Sequence, residues 1–163
     1  MNRTARLMAG IVLGLVISVG AEAKEKTIKQ SDLPSAVLKT AEQESAGAAV
    51  TVTGYTKDKV EGETIYQMDL VVDGLARGVV IGADGTIVSV EQEIAWDHVP
   101  ADVQTNFTNV TAKGKLGAVS SVTKQGNLVA YQAVLETNGN RALVQVKPKS
   151  PALDPIPTSD TKK

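Results

Sequence analysis

The sequence predicts an α+β protein of two tandem repeats, each a helix packed on one face of a 3–4-stranded antiparallel sheet. Three observations carry this expectation. Residues 66–74, YQMDLVVDG, return at 131–139 as YQAVLETNG. Each copy reads as a strand running into Asp73-Gly74 or Asn138-Gly139, dipeptides that accept the positive φ of a tight hairpin. Upstream of each copy stands the same kind of helix start, LPSAV at 33–37 and VPADV at 99–103. Pro34 and Pro100 lie 66 residues apart and Tyr66 and Tyr131 lie 65 apart. Two unrelated signals that keep one spacing read as an internal duplication.

Before the first repeat, Arg3 and Arg6 form a positive lead into an apolar run at 7–19, and Ala21-Glu22-Ala23 is a small-x-small cleavage site. Residues 1–23 therefore read as a signal peptide, with Lys24 as the first mature residue. The run is too short for the roughly 20 apolar residues of a membrane span, so no membrane span is expected after cleavage. No cysteine follows the site for a lipid anchor. Cleavage removes two of 17 basic and one of 18 acidic side chains, leaving a net charge of −2.

That balance, with only five aromatic residues in the whole chain, excludes a nucleic-acid partner, which calls for a basic stripe and stacking rings. The absence of cysteine rules out disulfides, thiolate metal sites and cysteine nucleophiles. No cofactor is expected.

Residues 24–30 are a charged lead-in, and repeat 1 occupies 31–93. Ser31 and Asp32 can cap a helix with Pro34 in its first turn. Leu33, Val37 and Ala41 recur at four-residue spacing as its apolar stripe, and Gly47 is its expected stop. The alternation of 50–53, VTVT, starts a strand. After a polar loop at 57–62 comes the strand of Tyr66, Met68, Leu70 and Val72. A two-residue turn at Asp73-Gly74 pairs Leu70 with Arg77, Met68 with Val79 and Tyr66 with Ile81. A further turn at 83–85 leads to a last strand at 86–92.

Repeat 2 occupies 94–147. Val99, Val103 and Phe107 form its helix stripe and Gly114 ends it. A weak strand at 116–123 and a turn near 125–127 lead to the strand of Tyr131, Ala133 and Leu135. That strand turns at Asn138-Gly139 and pairs with Ala142, Val144 and Val146. Pro148 prevents a fourth strand. Residues 148–163 read as a disordered Pro-rich tail.

These residues resemble the PepSY-like, beta-lactamase-inhibitor-like domains of exported bacterial proteins. The match lies in Leu33-Pro34 with Val37, Tyr66 with Leu70, Asp73-Gly74, and Asp84-Gly85 with Ile87. It covers most of 32–92 and, more loosely, 98–146, where the second Asp-Gly turn is missing. The resemblance implies a periplasmic or secreted, non-enzymatic binding module that restrains a peptidase or another envelope protein. It brings no catalytic residues.

Residue by residue, structural roles outweigh chemical ones. His98, beside Trp96 and Asp97, has no serine, cysteine or second ligand at motif spacing, so it reads as capping or exposed. Trp96 reads as the plug of the interface between repeats. Asp73, Asp84 and Asn138 are turn formers rather than calcium ligands. Glu91 and Glu93 share a strand face and read as a solvated pair at a strand end. The sequons at Asn106 and Asn109 lie in the second helix.

What remains is the sheet face turned away from the helices. It carries Gln67 and Asp69 in repeat 1 and Gln132, Val134, Glu136, Arg141 and Leu143 in repeat 2. A solvated antiparallel face is polar at alternate positions, whereas this one is mixed. It either packs the repeats together or receives a protein partner. The alternative reading is a small-ligand or metal-binding periplasmic protein, for which ligands are lacking.

Overall fold

The structure is a computed structural model that describes residues 26–111 and 114–148. The expected signal peptide and nearly all of the Pro-rich tail lie outside the described residues. Eight strands follow one another as an antiparallel meander: β1 (Lys26–Ile28), β2 (Val50–Val60), β3 (Glu63–Val72), β4 (Leu75–Gly82), β5 (Ile87–Ile94), β6 (Lys115–Lys124), β7 (Asn127–Thr137) and β8 (Asn140–Val146). Helix α1 (Ser35–Glu44) joins β1 to β2, and α2 (Ala101–Thr111) joins β5 to β6. Short 3-10 turns at Gln30–Asp32 and Trp96–His98 precede the helices.

This corrects the expected fold class. Two tandem helix-plus-sheet repeats would each own a sheet, but here one sheet runs from β1 to β8 without a break. The join is the ladder of β5 with β6, from Ser89 opposite Lys124 to Ile94 opposite Val119. The last strand of the first half uses up its free edge on the first strand of the second, which removes two exposed edges at once.

Local chemistry explains the rest of the meander. Asp73 and Asn138 take φ of 51° and 50°, and Gly74 and Gly139 follow at 81° and 80°, as a two-residue hairpin turn requires. Glu61-Gly62 and Gln125-Gly126 make the same turn. The hairpin register expected from Asp73-Gly74 is observed, with Leu70 opposite Arg77, Met68 opposite Val79 and Tyr66 opposite Ile81. Part of the charged lead-in forms β1, where Ile28 pairs with Tyr55. Helix α1 stops at Glu44, before Gly47, and at its end the Ser45 hydroxyl donates to the Ala41 carbonyl (2.7 Å).

Both helices lie on one face. Leu33, Val37 and Ala41 pack on Tyr55, Tyr66, Met68, Leu70, Val79 and Ile81. Val99, Val103 and Phe107 pack on Val119 and Ala133. Val90 borders the first cluster and Ile94 the second, and alternation along β5 puts both on the same side. Between the clusters runs a polar row. Arg77 donates to Glu44 at the end of α1 (2.6 Å) and to Gln92 (3.4 Å), and the Ser121 hydroxyl donates to the Gln92 carbonyl. Two apolar cores thus sit side by side on one sheet, and its other face stays open.

Candidate functional site: the open face of the sheet

Strand pairing fixes which side chains share the open face. One row across the sheet reads Gln67, Val80, Ser89, Lys124, and the next reads Asp69, Gly78, Glu91, Val122, Ala130. A third contains Val71, Ala76, Glu93, Ser120, Gln132 and Gln145. Beyond it, Val134 faces Leu143 and Glu136 faces Arg141. Gln67 and Asp69 stand on this face from β3, Gln132, Val134 and Glu136 from β7, and Arg141 and Leu143 from β8. The structure adds Ser89, Glu91 and Glu93 on β5, which bridge the two groups.

No described element covers this face, yet Val80, Ser89, Ser120, Val122, Ala130 and Gln132 are buried. Burial with no described element above it fits the hollow side of a curled sheet. Register shifts at Val52/Gly54, Val80/Ile81, Leu116/Val119 and Val122/Thr123 supply the curl, since a bulge bends its strand and increases local twist. The expectation that this face packs two repeats against each other does not hold, because the halves meet edge to edge through β5 and β6.

The hollow is polar at its middle and apolar at its β8 end. The Gln67 side-chain amide donates to Asp69 (2.8 Å). Burial pushes the Asp69 carboxyl above its ordinary value, and the bond from Gln67 offsets only part of that. Glu93 accepts from the Ala76 backbone N–H (3.1 Å) at the end of the β4–β5 ladder, so it is no free solvated carboxylate. Gln132, only 4% exposed, accepts from the Gln145 amide (3.1 Å). Among the described residues the Ser89 hydroxyl is the one buried side-chain polar atom without a hydrogen-bond partner. At the β8 end, Leu143 is 51% exposed.

Trp96 does not plug an interface between halves. It stands in the 3-10 turn before α2, 45% exposed, and lines a shallow cleft with Thr108, Leu116 and Gly117. His98 and Asp97 are exposed in the same turn. Asp84 accepts from the Thr86 N–H and hydroxyl (both 2.9 Å), bonds that hold its carboxyl below the ordinary range. Its place is in the turn. No group of three or more candidate metal ligands occurs among the described residues.

The class of molecule this defines is a single curled antiparallel sheet with helices on one side and an open hollow on the other. Neither a family model nor a curated protein matches the chain. Solved structures do. A DUF2874 family protein from Bacteroides uniformis superposes with a TM-score of 0.54 at 15% identity, covering 70% of this chain and 81% of that one. A protein from Bacteroides eggerthii, provisionally described as periplasmic, gives 0.56 at 16% identity, with 71% and 81% covered. A second DUF2874 protein, from Bacteroides ovatus, gives 0.54 at 13%, with 71% and 80% covered. At these identities the likeness is one of fold. No described helix is long and apolar enough to cross a membrane.

Proposed function

We propose that this chain is an exported, non-enzymatic binding module that docks a protein partner, a peptidase or another envelope protein, in the hollow of its open sheet face. The observation that carries the reading is a hollow with no described element over it, bordered at its β8 end by an apolar pair, half-buried Val134 and exposed Leu143. Val134 and Leu143 face each other across the β7–β8 hairpin, flanked by Gln132 with Gln145 and by Glu136 with Arg141. An apolar patch flanked by polar side chains is the composition of a protein–protein contact. The periplasmic or secreted location rests on the apolar leader and its Ala-Glu-Ala site, and the provisional description of one structural neighbour points the same way. The PepSY-like resemblance favours a restraining role.

The test is Val134→Asp combined with Leu143→Asp. Burying two unpaired carboxylates in an interface costs several kcal/mol or more, so capture of the partner from the host envelope is lost while the melting temperature holds. Capture that survives the double change, in a protein that still folds, contradicts the reading.

A further inference from the structure

The middle of the open face has a trough that strand β4 leaves almost empty. Beyond buried Val80, which stands between Gln67 and Ser89, β4 presents only Gly78 and Ala76 on this face, between Asp69 and Val71 on β3 and Glu91 and Glu93 on β5. Asp69 and Glu91 both pair with Gly78, so their Cα atoms stand about 10 Å apart, two strand spacings. We propose that this trough receives a basic side chain, an arginine guanidinium or a lysine ammonium, of the protein partner, held over Gly78 between Asp69 and Glu91. This rests on the open face being the docking surface and names what it recognises.

Three independent features support it. Gly78 has no conformational reason to be glycine. A Cβ there would meet only Asp69 Oδ1 and Gln67 Nε2, both at 3.9 Å, and its φ lies outside the left-handed region. Glycine inside a strand weakens it and marks a place where a ligand or another backbone comes close. The carboxylates have no cation of their own, since the ion pair among the described residues, Arg77 with Glu44, lies on the helix face. Ser89, 1% exposed and paired with Val80, stands on the same strand face two residues before Glu91, diagonal to Gly78, with its hydroxyl unpartnered, which is costly for a buried group. An incoming N–H would satisfy it. Asp69 is half-buried with its charge opposed only by the Gln67 amide, and a cation would offset that desolvation. Two carboxylates and a serine are too few oxygens for calcium, which takes six to eight.

The probe is the peptide acetyl-Gly-Ala-Arg-Ala-Gly-amide, titrated into the 15N-labelled exported chain and compared with its citrulline counterpart, which keeps the shape and removes the charge. The proposal requires saturable amide shifts centred on Asp69, Gly78 and Glu91, with binding weakened about tenfold or more by citrulline, as loss of a charge-assisted pair implies. Gly78→Val fills the trough and must abolish the shifts. Asp69→Asn with Glu91→Gln must do the same without adding bulk, which keeps the test valid should valine disturb the strand. Equal binding of citrulline, shifts centred elsewhere, or no saturable shift at all overturns the proposal. If Gly78→Val leaves partner capture intact while Val134→Asp with Leu143→Asp abolishes it, the docking face stands and the trough is not its recognition element.

Discussion

At residue 69 the chain holds a carboxylate half out of water, with an amide and no cation to stabilise its charge. The folded state therefore binds the proton more tightly than the unfolded chain does. Below the ordinary value of 3.8 both states are protonated and Asp69 costs nothing. As pH rises through the raised folded value, ionisation opposes folding. Asp69→Asn, which keeps an oxygen for Gln67, should raise the melting temperature at pH 7, and the gain should shrink to nothing in acid. A variant that is less stable than the wild type at pH 7 would show that the charge has a partner after all. The alternation along 65–72 places Asp69 on the open face from sequence alone. Ser89 leaves no such trace, because a serine in a strand looks like any solvent-facing residue, and its burial depends on the curl of strands far away in sequence. Glu91 and Glu93 are equally opaque. The pattern sets their shared face, but only the pairing of β5 with β4 and β6 puts them in the middle of the sheet.

Among the elements, the turn between β4 and β5 is what seats α1. Gly85 has φ of +87°, and a Cβ there would come within 2.7 Å of the Ala36 carbonyl oxygen. The Thr40 hydroxyl donates to the Gly85 carbonyl (2.7 Å) from the same side. Gly85→Ala should therefore cost at least the roughly 1–2 kcal/mol of a left-handed alanine plus the displacement of the helix. Gly78→Ala, in an open strand position, should leave a denaturant melt within about 0.5 kcal/mol of the wild type. Equal effects of the two would mean that the helix does not rest on the turn. Local chemistry made such elements legible. Asp73-Gly74 and Asn138-Gly139 set their hairpins and registers, and four-residue spacing marked the buried stripe of α1. Pairings that no turn encodes were not legible. Residues 26–28 carry no alternation to announce a strand, and the β5–β6 ladder joins segments separated by the whole of α2.

For the molecule as a whole, that ladder decides how it unfolds. The two apolar cores are separate clusters divided by the Arg77, Gln92 and Ser121 row, yet they share one backbone sheet. Each half alone would be a small domain with too little core to be stable. The account predicts one transition. Leu70, 2% exposed in the first core, should cost about 2–5 kcal/mol when cut to alanine. The loss should appear equally in circular dichroism and in the fluorescence of Trp96, the only tryptophan, which lines a cleft with Leu116, a neighbour of the second core. A Trp96 transition unmoved by Leu70→Ala would mean that the halves unfold separately. Reading two repeats from the sequence followed from two similar sets of turns and helix starts. Whether such sets build two sheets or one depends on a non-local edge pairing, which composition and periodicity do not contain.

The central claim, that function resides on the open face, is tested most directly by photo-crosslinking in the host envelope. A photoreactive side chain is placed at Leu143 or Glu136 on the open face, and at Lys39, exposed on α1, as the opposite-face control. The account predicts a discrete protein adduct from both open-face positions, none from Lys39, and loss of the adduct when Gly78→Val is added. Adducts from Lys39 with none from Leu143 or Glu136 would contradict it and move the working surface to the helix side.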